Sequence, residues 1–201
     1  MSFTAIESLI LNQKIIMENS SLIITQTRKW ITDVVVGCNF CPFAAREVKR
    51  GSIHYEVLDD ANAESTMEAA LNIMKMLDND PAVETALLIL PSDFENFEDY
   101  LDLVETAEAL LEENDYEGVY QVASFHPQYL FAGAAADDAS NYTNRSPYPM
   151  LHFLREESVS KAVDGHPGID DVPYINIQFA KEKGLRYMQQ LLASCITDGE
   201  L

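Results

Sequence analysis

Thr85-Ala86-Leu87-Leu88-Ile89-Leu90 is a short, nearly all-apolar run. A strand covered on both faces reads this way, without the polar alternation of a half-exposed strand. Its neighbours give it a context. Upstream, Ser65 to Leu77 predicts a helix, with Met67, Ala70, Leu71, Met74 and Leu77 in one stripe. Ser65 and Glu68 have the spacing of a capping box at its start. Before that helix, Ile53 to Leu58 alternates apolar and polar residues, as a strand does. Downstream, Ser92 and Glu95 form a second capping box. They open a helix that carries Phe97, Tyr100, Leu101, Val104, Ala107 and Leu111 on one face. Val119 to Ser124 follows as a third strand, after the turn signal of Gly118.

Strand, helix, strand, helix, strand is the pattern of βαβ units, whose right-handed crossovers make a sheet at least partly parallel. The predicted fold class is therefore α/β (or α+β). It has a small, three- to four-stranded, partly parallel sheet from βαβαβ over residues 53–125, with helices packed on it. Gln128 to Ala132 is a candidate for a fourth short strand. A ferredoxin-like mixed sheet is the structural alternative.

The flanks read as helical. Ser21 to Gly37 has apolar spacings of three and four, and Cys41-Pro42 opens a shorter helix to about Arg50, with Gly51 beyond its end. Residues 132–148 form a long loop of small and polar residues, and loops of that length tend to be functional or disordered. Pro149 then opens a helix that ends near Gly165, and a turn follows at His166-Pro167-Gly168. Asp170 or Asp171 caps the next helix, and Leu185, Met188, Leu192 and Cys195 form a final stripe. The helical C-terminal third covers residues 149–195, and residues 1–201 are expected to make a single domain.

The chain of 201 residues carries a net charge of −20, unevenly placed. Residues 51–125 hold nineteen acidic side chains and one basic one, Lys75. Such a surface repels nucleic acid and anionic lipid, so neither is an expected partner. It serves solubility, or docks a basic partner. No apolar run reaches the roughly 18 residues of a membrane helix. Glu7 and Glu18, with no basic segment before an apolar core, argue against a signal peptide. Three cysteines make no disulfide framework, and the cytoplasm is the expected location.

Chemistry is concentrated in Cys38-Asn39-Phe40-Cys41-Pro42-Phe43. A cysteine at a helix N-terminus meets free N–H groups that favour its thiolate. Cys41 is then a nucleophile or redox thiol, half of a metal site with Cys38, or a small core residue beside Phe40 and Phe43. His126, in Ser124-Phe125-His126-Pro127, follows the third strand. It falls at the strand edge where sites collect in parallel sheets, and is a candidate base for Cys41. A third group is Asn144, Arg145 and Ser146, with His152 and Arg155 three apart on the predicted helix. These five could bind a small anion, unless the arginines pair with local acids. His54 reads as structural. No phosphate-binding glycine loop, nucleophile elbow or zinc-protease motif is present, so no cofactor is implied.

Asn39-Phe40-Cys41-Pro42-Phe43-Ala44, Ser124-Phe125-His126-Pro127 and Thr143-Asn144-Arg145-Ser146-Pro147-Tyr148-Pro149 together resemble a bacterial family catalogued as domain of unknown function 1415. The resemblance spans residues 22–195. It implies that Cys41, His126, Asn144, Arg145 and Ser146 match the family's signature positions. It also implies a lone thiol at Cys41, since the position of Cys38 is often leucine in the family pattern. It brings no activity. The functional expectation is a cytosolic thiol-dependent enzyme, or a binding protein for a small anionic molecule, using Cys41 and His126. The alternatives are a metal site through Cys38, Cys41 and His126, and a non-catalytic interaction domain with an acidic face.

Overall fold

The computed structural model describes residues 3–165 and 168–196, with the side chains of residues 3–13 and of Asp170 left aside. The predicted turn at His166-Pro167 lies outside the described residues. Four strands form one sheet: β1 (Ile53–Val57), β2 (Thr85–Ile89), β3 (Tyr120–Phe125) and β4 (Met150–Arg155), in the order β1-β2-β4-β3. β1 and β2 are parallel, paired from Ile53 with Thr85 to Val57 with Ile89. β4 runs antiparallel to both neighbours, pairing Leu87 with His152 on one side and Ala123 with His152 on the other. The fold is thus α/β with a partly parallel, mixed sheet. Helices cover both faces, unlike the one-sided layering of the ferredoxin-like alternative.

One face is covered by α3 (Ala63–Asn79) and α4 (Phe97–Glu113). Their stripes, from Ala70, Ile73, Met74 and Leu77 to Tyr100, Leu103 and Ala107, pack on Ala86, Leu88, Leu151 and Phe153. Both helices start a few residues from where the capping signals put them. Asn62 is the N-cap of α3 and exchanges hydrogen bonds with Ser65, which is the third helical residue rather than the cap. Asn96, not Ser92, caps α4, its side chain accepting from the Glu98 and Asp99 N–H groups. The outer faces of α3 and α4 carry much of the excess acid, left in solvent.

The other face is covered by α1 (Phe3–Trp30), α6 (Val172–Lys183) and α7 (Leu185–Ile196). A π-helical segment, Ile31–Val36, continues α1. Gly37 ends it in a helical conformation, and a Cβ there would sit 2.2 Å from the Asp33 carbonyl oxygen. Only a residue without a side chain fits so close a turn. α2 (Ala44–Arg50) is shorter than predicted. Phe43, not Cys41, stands at its N-cap position, and Cys41 lies in the turn before it.

The largest correction is β4. Residues 150–155 are not the start of a helix but the strand between β2 and β3, and only Glu156–Asp164 (α5) is helical. Met150, Leu151 and Phe153 are fully buried. A six-residue, mostly apolar segment suits helix or buried strand equally, and here the unfilled gap between β2 and β3 decides. Gln128 to Ala132 forms no strand. The long loop after β3 is folded, with a short 3-10 helix at Ala139–Thr143. Buried Asn141 holds it, accepting from Phe131 N–H at 3.1 Å and donating to the Ala135 carbonyl at 2.8 Å. Among the described residues, no helix is long and apolar enough to cross a membrane.

Candidate functional site

Strand parity sets what each sheet face can present. On β4, Leu151, Phe153 and Arg155 turn toward α3 and α4, while His152 and Leu154 turn to the opposite face. On β3, Gln121, Ala123 and Phe125 share that opposite face. α1 and α7 cover only part of it. The remainder floors a cavity of about 350 Å³. Trp30, Ile31 and Val35 wall it on one side, the Cys41–Glu47 segment on another, and Ser158, Val159 and Ala162 of α5 close it. The lining is predominantly apolar, and the volume falls in the range of small-ligand pockets.

The polar groups in this wall are few. His152 lies deep in the molecule but keeps some exposure, because the cavity is one of its neighbours. Its Nε2 is 2.6 Å from Thr85 Oγ1, and the same hydroxyl is 2.6 Å from the Phe153 carbonyl oxygen. A hydroxyl has one proton to give. With it donated to the carbonyl, Nε2–H of His152 donates to Oγ1, and Nδ1 keeps a lone pair with no partner among the described residues. Burial holds the imidazole neutral, with its pKa lowered to about 4.

Glu47 is buried, yet its carboxyl is held below the ordinary range. Burial alone would raise it. Hydrogen bonds from Ser52 (2.6 Å) and Arg46, with the charges of Arg46 and Arg50, outweigh burial. Glu84, at the entrance to β2, differs: its Oε1 is buried and has no hydrogen-bond partner among the described residues.

Cys41 is half-buried and lines this cavity, whereas Cys38 and Cys195 are buried and burial raises both their pKa values. All three are free thiols. Trp30 lies beside the cavity in edge contact with Phe125 (ring centroids 5.1 Å apart), its indole N–H donating to the Arg145 carbonyl at 3.1 Å.

His126 does not join Cys41. Phe125 takes the cavity side of β3, so the next side chain turns the other way, onto Phe97 and Tyr100. Both ring nitrogens of the fully buried His126 are engaged: Nε2–H donates to the Phe94 carbonyl at 2.9 Å, and Nδ1 accepts from Gln128 N–H at 2.9 Å. Burial, with the nearby charge of Arg145, lowers its pKa, so it stands as a neutral structural ring. The Cys38, Cys41 and His126 metal set is not gathered either. Among the described residues, no three His, Cys, Asp or Glu side chains are placed to hold a metal ion.

The predicted anion group is also divided. His152 and Arg155 are three apart on a strand, which puts them on opposite faces. Arg155 donates to the carbonyls of Leu77 (2.6 Å) and Val83 (3.0 Å), tying the C-terminus of α3 to the start of β2. Arg145 donates to the carbonyls of Tyr129 and Ala136, both at 3.1 Å, and its guanidinium lies over the Tyr142 ring. Asn144 donates to the Ser124 carbonyl at 3.4 Å, and the Ser146 hydroxyl to that of Tyr148 at 2.6 Å. Asn144 thus ties the long loop to β3, while Arg145 and Ser146 bind the loop to itself. Trp30, Thr85 and Glu84 were not legible as site residues: an apolar helical stripe, a strand terminus and one acid among many carry no local signal.

The signature segments therefore have separate duties. The one around Cys41 walls the cavity, and those around His126 and Arg145 lock the loop beside it. Comparison with curated proteins and with solved structures found no match. Over residues 22–190 the chain matches the family described as Protein of unknown function (DUF1415), and it belongs to that family.

Proposed function

We propose that this protein binds a small, mainly apolar molecule in the cavity between the sheet and the Trp30–Glu47 segment. The observation that carries this reading is the cavity itself: about 350 Å³ of apolar-walled space with a few polar groups in its wall. The anionic ligand expected from the arginines loses support, because Arg145 and Arg155 spend their donors on backbone carbonyls. A thiol-dependent reaction on the bound molecule is the second reading. Cys41 is the cysteine that is not buried, and it shares the wall with His152. His152 takes the place given to His126 as the imidazole nearest this chemistry, although no hydrogen bond joins it to Cys41 among the described residues. Three free thiols fit a reducing cytosol as the setting.

Alkylation mapped by mass spectrometry, with and without the amphipathic dye anilinonaphthalene sulfonate, tests the proposal. Cys41 should react ahead of Cys38 and Cys195. The dye should protect Cys41 and shift the emission of Trp30, the single tryptophan of the chain. A Cys41 rate and a Trp30 spectrum that no apolar probe alters would refute the binding reading.

A further inference from the structure

Resting on that cavity, we infer that the bound molecule carries a hydroxyl or N–H group and donates it to Nδ1 of His152, with its apolar body against Trp30 and Phe125. Strand register puts His152 in the cavity floor. It stands between Leu87 of β2 and Ala123 of β3, and all three line the cavity. Ala123 is the small member of that row, and its methyl group fills little of the space beside the imidazole.

Two contacts fix the tautomer. Oxygens only 2.6 Å apart, as Thr85 Oγ1 and the Phe153 carbonyl are, need a proton between them, and the hydroxyl has just one. The 2.6 Å contact of that hydroxyl with Nε2 then needs the ring's own proton. Nδ1 is left as an acceptor. It has no hydrogen bond among the described residues, yet it is not one of the unpartnered atoms sealed from all access. His152 lies deep in the molecule, so the access that Nδ1 keeps is to the cavity His152 lines. Burial holds the ring neutral, which preserves the lone pair at neutral pH.

The other polar groups in the wall make no such demand. Gln121 and Ser158 can each donate or accept. Arg46 and Glu47 put one charge of each sign in the wall, so charge elsewhere on the ligand does not enter the assignment. Nδ1 takes only a donor. Water can serve it before a ligand enters, and a ligand that expels the water must replace that hydrogen bond. Hydrocarbons, ethers and esters have nothing to give it; alcohols, phenols and N–H amides do.

Two probes share a ring and an oxygen and differ in the donor: 2-phenylethanol and its methyl ether, titrated against Trp30 fluorescence of the full chain. By apolar transfer alone the extra methyl makes the ether tighter by about fourfold. The alcohol should bind tighter instead, because the ether leaves a buried acceptor unpaired. His152→Leu should lower the ratio of alcohol to ether affinity at least about fivefold, the effect of one hydrogen bond. In the histidine-labelled wild type, the NMR resonance of His152 Nδ1 should lie in the unprotonated range and move upfield with the alcohol but not with the ether. A tighter ether, or an Nδ1 resonance that the bound alcohol does not move, overturns the donor assignment while the cavity reading stands. A His152→Leu protein that folds and keeps the ratio overturns it too. If neither probe binds, nor the dye above, the cavity reading fails and takes this inference with it. The wild-type resonance is decisive even if the variant does not fold.

Discussion

Acidification from pH 7 to pH 5 should destabilise this protein through His152. Folded, its imidazole has a pKa of about 4; the ordinary value is 6.5. Burial in the sheet penalises the charged ring. The folded pKa lies below the unfolded one, so between them the unfolded chain binds the extra proton. The stabilisation is complete above about pH 6.5 and is lost as the pH falls toward 4. The whole gap corresponds to roughly 3 kcal/mol. Between pH 7 and pH 5 about 2 kcal/mol is lost, or nearer 1 if water in the cavity solvates the ring. Urea unfolding at both pH values, for the wild type and for His152→Gln, measures this. Glutamine can still donate to Thr85 Oγ1 and does not titrate. His126 shifts in the same direction, but it is present in both proteins and cancels from the difference, as do the carboxylates. The wild type should lose about 1–2 kcal/mol more than the variant. Equal losses, or an NMR titration of His152 near 6.5, would refute the account of a ring kept neutral by burial.

Two further outcomes follow from backbone contacts. Gly37→Ala should destabilise by about 1–3 kcal/mol, because the Asp33 carbonyl has no room for a Cβ. Helix propensity alone predicts a gain of up to about 1 kcal/mol at this helical φ and ψ, so the sign seen in a thermal melt decides. Arg155→Met keeps much of the aliphatic stem but strands the Leu77 and Val83 carbonyls. It should lower stability by about 1–3 kcal/mol, measured by urea denaturation.

The sheet was legible where one strand's own residues decide it. The apolar run at Thr85–Ile89 carries its full burial in sequence, whereas Ile53–Val57 alternates in sequence but is half-buried throughout. β4 was not, because Leu151 and Leu154 have helical spacing and Pro149 mimics a helix start. What makes it a strand is an opening between β2 and β3, which belongs to no local window. The same limit governs the site. Adjacent Phe125 and His126 must face opposite ways in a strand, but sequence does not say which face the Cys41 segment covers. Cys41 itself was identified from its surroundings. His152 was named with the wrong companion, since the link to Arg155 assumed a helix. The contact of His152 with the Thr85 hydroxyl spans 67 residues, a pairing only the register of β2 on β4 creates.

That register also fixes an order of assembly. β2 and β3 have no bond to each other, and each reaches its inner neighbour only through Met150–Arg155, the last strand to be made. While the ribosome is still upstream of residue 150, β1 and β2 can pair but β3 has no strand to pair with. Tyr100 reinforces the dependence, since its hydroxyl donates to the Met150 carbonyl at 2.7 Å and accepts from Phe125 N–H at 3.0 Å. The sheet closes late, like a zip whose slider enters at the middle, and the cavity floored by β3 and β4 comes into being only at that moment.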